Sequence, residues 1–389
     1  MISVAARAAV RRPELVAPAT ELLGRSIVPA GECRAAIADR AGRADLYYTM
    51  FGLECALALS GTGFPAPASA GGTGFPTCAA AGTEPGCATP DPLPRLFWPY
   101  LASFDPATLD LVHLACLARA WRAVQDLAAA EGSATRPPIG LANAVAKRLA
   151  DFACPGGGFH LAPAAPAGST YGCFVALGLL QDLGLPVPRA DGIVACLARC
   201  RNADGGYGLM PGAPSAANPT AAALLVMLEL GATDTPPFGV SVRGRPGATA
   251  AEFAPVPPAP NQGATDTPPL SFGVSVRDGA RRTDTANDAV SVAPKESVAP
   301  KRSFALGTMD FLRRQYDGQG FRALPFAPSA DLLSTATAIH ALAEAGADLS
   351  PFKACLEYAL ALNFRGHAAD TQADCEFLFY TLLVVGHLA

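Results

Sequence analysis

RADGIVACLARCRNADGGYGLMPGAPSAANPTAAALLVMLELG, residues 189–231, decides how this chain is read. Its first part is amphipathic: Ile193, Val194, Leu197 and Cys200 recur at helical spacing, while Arg189, Asp191, Arg199 and Arg201 take the other face, which should meet water. A glycine turn follows at Gly205, Gly206, Tyr207 and Gly208. Asn218 then stands where it would cap a helix with Pro219 at its first position, and Gly231 is the stop. Between them, 220–230 carries a single charge, Glu229. A helix apolar nearly all round is buried on nearly all sides. The unit is therefore an outer amphipathic helix, a turn and an inner buried helix.

The unit recurs. Gly157, Gly158 and Phe159 precede the apolar run 169–184; Gly318, Gln319, Gly320 and Phe321 precede 333–346; Phe364, Arg365 and Gly366 precede 374–386. The step from Gly158 to Gly206 is 48 residues and that from Gly320 to Gly366 is 46, but Gly206 to Gly320 is 114. The long interval contains GATDTPPFGVSVR at 231–243 and GATDTPPLSFGVSVR at 263–277, a near-verbatim duplication. Removing 233–300 restores the period, so a helical-hairpin repeat is interrupted by a low-complexity insertion. A second biased stretch, 61–95, repeats GTGFP at 61–65 and 72–76 and buries little, and it reads as a flexible insertion.

At 389 residues the usual length prior would allow several domains, yet a repeat array grows its core with each unit, and 1–389 reads as one all-α domain. Hydrophobic residues make up 50% of the chain and charged ones 16%, which supplies a core and leaves a sparsely charged surface. A net charge of −4 gives no reason to expect nucleic acid. No apolar run is long enough for a transmembrane segment, and MISVAARAAVRR does not resemble a secretory signal. The cysteine count is odd, at 11, and Cys116, Cys173, Cys196, Cys200, Cys355 and Cys375 lie inside apolar helical patterns, so free thiols of a cytoplasmic protein are expected. Cys196 and Cys200, one turn apart, read as core packing ahead of metal binding.

Along the rest of the chain, 30–40 carries a weak helical pattern, 45–60 reads as the first inner helix, and 96–103, 109–130 and 139–152 read as further helices. No strand alternation of useful length is present outside the insertions.

Gly-Gly-Phe or Gly-Gly-Tyr turns between paired helices at this spacing resemble the α/α-toroid family of protein prenyltransferase β subunits and squalene and terpene cyclases, best from residue 139 onward and most specifically in GGYGLMPG at 205–212. The resemblance implies hairpins closing into a toroid of inner and outer helices around a central apolar funnel. It also implies a zinc site made by an Asp-x-Cys pattern and a His, the zinc generating a thiolate that attacks an isoprenoid carbon. The aligned positions here are Asp331, Leu333 and Phe377. Leucine and phenylalanine donate no lone pair, so no zinc cofactor is expected unless the site is rebuilt from Asp331, Cys375 and Glu376 or His340. The family's diphosphate-binding Arg and His align with Met210 and Ala216, which leaves Arg322 as a candidate. The Asp-x-Asp-Asp acid of the cyclases and the Gly-Cys-Gly-Glu-Gln thioester of a third toroid group are absent.

The candidate ligand-binding residues are thus Asp331, Asp374, Cys375, Glu376, Arg322 and His340. Each has a plainer reading beside it. Asp331 and Asp374 also suit helix caps, and Glu376 suits a helix dipole. His340 suits a lining or satisfied core position, and His367 a solvated turn. Tyr47, Tyr48, Phe174 and Tyr380 could line a cavity for an isoprenoid, another apolar ligand or a peptide, and equally suit plain core. Three functions fit: a toroid that binds in its funnel without the usual prenyl transfer, an active prenyltransferase-type enzyme with an unconventional metal site, and a non-catalytic structural or interaction module; the sequence names no partner subunit.

Overall fold

A computed structural model describes residues 1–30, 35–60, 93–132, 137–231, 301–365 and 374–389. The expected insertions at 61–95 and 233–300 lie outside the described residues, except that 93–95 open a helix. His367 and Gly366 also lie outside them.

The protein is mainly α-helical. The helices are α1 (Ile2–Arg11), α2 (Val16–Ser26), α3 (Leu46–Ser60), α4 (Leu93–Leu101), α5 (Leu111–Ala130), α6 (Leu141–Ala150), α7 (Thr170–Asp182), α8 (Ala190–Cys200), α9 (Ala217–Glu229), α10 (Lys301–Arg314), α11 (Leu332–Glu344), α12 (Ala354–Leu360) and α13 (Cys375–Leu388). The first 45 residues depart from expectation. The helical pattern at 30–40 is instead part of an antiparallel three-stranded sheet, β1 (Ile27–Pro29), β2 (Ala35–Ala38) and β3 (Ala44–Asp45), in that order, with Ile37 facing Ile27 on one side and Asp45 on the other. Moreover α1 and α2 carry no signal that the repeat reading captured.

Six helices are buried almost all round: α3, α5, α7, α9, α11 and α13. Each packs on the next in that order, and α13 also packs on α3. Amphipathic helices flank them: α4 and α6 on α5, α8 on α7, α10 between α9 and α11, and α12 on α13. As the sequence leads one to expect, Ile193, Leu197 and Cys200 of α8 are buried, and Arg199 and Arg201 are exposed. No helix among the described residues is long and apolar enough to cross a membrane.

The glycine turns repeat one hydrogen-bonding device. Tyr207 bridges to Arg201 before it and Ala216 after it, and Phe321 does the same with Tyr316 and Asp331. The Tyr207 N–H donates to the Thr220 hydroxyl at 2.9 Å, and that hydroxyl donates to the Ala216 carbonyl at 2.6 Å. The Phe321 N–H and Thr335 hydroxyl form the equivalent pair, at 2.9 Å and 2.7 Å to the Asp331 carbonyl. In the preceding turn the acceptor is sulfur, with Phe159 N–H 3.4 Å from Cys173 Sγ. A buried N–H is thereby satisfied where no helix or sheet partner reaches it. Glycine before the aromatic residue is a packing requirement: a Cβ on Gly206 would stand 2.6 Å from Ser215 Cβ and 2.7 Å from the Phe311 ring.

One cap differs from expectation. Helix α9 begins at Ala217 with Ala216 as its uncapped N-cap, so Asn218 and Pro219 lie inside the first turn. Proline is tolerated there because the first-turn N–H groups have no intrahelical acceptor to lose. The Asn218 side chain instead accepts from the Thr337 hydroxyl of α11 at 2.8 Å.

Candidate functional site

The polar group foreseen around 374–376 exists, and it is larger than the sequence suggested. Asp374 caps α13, accepting from Phe377 N–H at 2.8 Å with Oδ1, while Oδ2 accepts from Arg40 Nε at 2.8 Å. Arg40 Nη2 lies 3.8 Å from Glu376 Oε2, and its guanidinium sits 5.2 Å over the Phe377 ring. The Tyr47 hydroxyl donates to Glu376 Oε1 at 2.8 Å, with the Tyr380 hydroxyl 3.5 Å from the same oxygen. Glu376 is 2% exposed. Arg40 is delivered by the tight turn between β2 and β3, which the Asp39 carboxylate holds by accepting from Ala41 N–H at 2.9 Å and Arg43 N–H at 2.8 Å. Chemically this is a carboxylate pair tied to one guanidinium and one phenol, and it joins the N-terminal segment to α13.

The remaining candidates are dispersed. Asp331 is the N-cap of α11, with Oδ1 accepting from Ser334 N–H at 2.7 Å. Arg322 lies in the turn before α11, its guanidinium on the Arg314 carbonyl at 3.5 Å. His340, fully buried in α11, shares a hydrogen bond with His387 of α13, Nδ1 to Nε2 at 3.0 Å. Burial pushes both imidazoles down, that of His387 to about 3, so each is neutral. Cys375 is buried, and burial pushes its thiol up to about 12. It is protonated at neutral pH and is no ready metal ligand.

The residues present do not fit the zinc that the resemblance implies. Asp331 already serves as a cap, Leu333 and Phe377 supply no donor, and the Cys375 thiol is protonated in an apolar setting. Among the described residues no three His, Cys, Asp or Glu side chains gather in a metal-binding group.

Sequence reasoning missed two features. One is a buried ionic group across three successive buried helices: Arg119 Nε of α5 bonds Asp182 Oδ2 of α7 at 2.9 Å and lies 4.0 Å from Glu54 Oε1 of α3. Burial raises the Glu54 carboxyl to about 7 against the pull of Arg119, and burial also raises Asp182. Part of the signal was available, since Glu54 and Asp182 are each the one charge of an otherwise apolar helix, whereas Arg119 shares α5 with Arg122 and Asp126. The other is α1, which packs on α13 and α3 and buries Val4, Ala5, Ala8 and Ala9. Its Val4 carbonyl passes against Gly386, where a Cβ would have no room.

Two cavities accompany these groups. One of about 20 Å³ is bordered by Met1, Phe174, Asn218, Leu333, Thr337 and His340, with His340 Nε2 buried and unbonded. It holds about one water molecule and no isoprenoid chain. The other, of about 400 Å³, lies between α6, α7 and α8. Of the aromatic residues considered as cavity lining, Phe174 borders the small cavity, while Tyr47 and Tyr380 meet Glu376. No protein-family model matches the chain, and no curated protein matches it.

Proposed function

We propose that the chain is an α/α toroid of the kind seen in protein prenyltransferase β subunits and terpene cyclases, and that it works as a binding or interaction module without zinc-dependent prenyl transfer. The observation that carries this reading is the packing order of the buried helices, in which α13 meets both α11 and α3. That is the order of a closed ring with the amphipathic helices outside. On this reading α1 lies within the ring, because it packs on α13 and α3 while Met1 borders the cavity shared with α7, α9 and α11. The interior is then filled by the chain's own helix where an isoprenoid funnel would be. Free thiols at the described cysteines suit a reducing compartment and support a cytoplasmic setting.

Metal analysis of the full chain beside Asp331→Ala and Cys375→Ala tests the reading. The expected outcome is well under one zinc per chain in all three, with no prenyl transfer to a cysteine peptide. One zinc per chain, lost in both variants, would restore the enzyme. A second reading, catalysis at an unconventional site, has one observation in its favour: Glu376 is buried between Arg40 and two tyrosine hydroxyls. Turnover of any isoprenoid diphosphate that Glu376→Gln abolishes would establish it.

A further inference from the structure

The cavity of about 400 Å³ is in the size range of small-molecule sites. One wall is α6, through Leu149 and Ala150; the floor is Phe159 and Leu180; the other wall is the segment entering α8, through Pro188 and Arg189. Arg189 is the one charged residue of an otherwise apolar lining. Its side chain forms no helix cap and is exposed at the rim of the cavity.

The backbone at this rim is unusual. Arg189 has φ 52° and ψ 50°, the left-handed region that a residue with a Cβ seldom adopts, and it serves as the N-cap of α8. Its carbonyl accepts from Gly192 and Ile193 N–H, so the first turn of α8 is formed. The first N–H groups of a helix have no intrahelical partner and favour an anion, as does a guanidinium beside them. Asp191, exposed in the same turn, opposes that preference in part. An apolar trough with an exposed guanidinium and a helix N-terminus at one end suits an apolar chain ending in an anion.

The geometry points to a binding site for a single-chain anionic amphiphile, a fatty acid or its like, with the chain over Leu149, Phe159 and Leu180 and the carboxylate at Arg189. This stands apart from the toroid reading, since it needs only α6, α7 and α8. Binding should strengthen with chain length, by about fourfold for each methylene buried.

The test is calorimetric titration of the full chain with decanoate and with decan-1-ol, both kept below aggregation. One decanoate site per chain is expected, with octanoate weaker. Ala150→Trp, on an exposed helix position, should fill the trough and lose at least tenfold for both ligands. Arg189→Gln should lose about tenfold for decanoate while leaving decan-1-ol unchanged. No decanoate binding, or binding that Ala150→Trp leaves intact, overturns the proposal; an equal loss of both ligands in Arg189→Gln overturns the anionic head. A diazirine-bearing decanoate provides a check on the unsubstituted protein: label within 146–193 supports the site, and label confined elsewhere overturns it.

Discussion

The hairpins of residues 139–231 and the segment 1–45 face the same requirement and meet it with different chain. In each, an N–H just ahead of a buried helix needs an acceptor. In the hairpins the chain reverses through glycines, and Tyr207 N–H reaches Thr220. In the N-terminal segment a strand replaces the glycine turn, yet Ile37 N–H donates to the Thr49 hydroxyl at 2.9 Å, and that hydroxyl donates to the Asp45 carbonyl at 2.6 Å. A side-chain acceptor on the first turns of the buried helix is therefore the constant part of the repeat, a hydroxyl at Thr49, Thr220 and Thr335 and a thiol at Cys173. The glycines are one way of presenting it, and they are visible in sequence only because glycine has so few substitutes where a Cβ would collide.

The largest effect expected lies between the two regions, at Glu54 of α3, which Arg119 of α5 links to Asp182 of α7. Its folded carboxyl, near 7, stands above the ordinary value of 4.5. Folded protein thus holds a proton that unfolded protein gives up between those values, and the stability tied to this group falls as pH rises from 4.5 to 7. The loss is about 3 kcal/mol at most. Urea unfolding at pH 5 and pH 8 should show wild type losing more than Glu54→Gln, and equal losses would remove the buried ionic group as a link between the regions. Next in size is Gly206→Ala, whose new methyl meets Ser215 and Phe311. A loss of about 1–3 kcal/mol is expected from overpacking; an unchanged melting temperature would mean the turn relaxes freely and the glycine is not a packing requirement. The finest comparison sets Thr49→Val beside Thr220→Val. Each should cost about 1–2 kcal/mol by leaving a buried N–H without its acceptor. A silent Thr49→Val would break the equivalence drawn between strand and glycine turn.

Much of the fold was legible because the buried helices announce themselves twice, by apolar character and by caps. Asp331 and Asp374 cap α11 and α13 as their positions suggest, and Ser169 caps α7 in the same way. The N-terminal helices were opaque for physical reasons. Helix α1 buries mostly alanine and retains two arginines, and α2 contains Pro18 and Gly24, so neither is apolar enough to stand out as the buried helices do. Strand β2 is only Ala-Ala-Ile-Ala, too short for alternation to be recognised. The candidate site was half legible. Asp374 and Glu376 could be found from their helix start, whereas Arg40, 334 residues from Asp374, bears no local mark of its partner. Asn218 misled because a capping residue one place inside a helix looks the same in sequence as one at its edge.

The hydrogen bond between Tyr47 and Glu376 joins residues 329 apart. A chain emerging from the ribosome makes α3 before α13 and must leave its apolar surface without that partner until all the helices between them have been synthesised. The pairing of α3 with α13 therefore carries a large loop-closure entropy and can form only after the helices between them have been made. A change in α3 is thus tested against α13, far along the chain, and the two helices are constrained together.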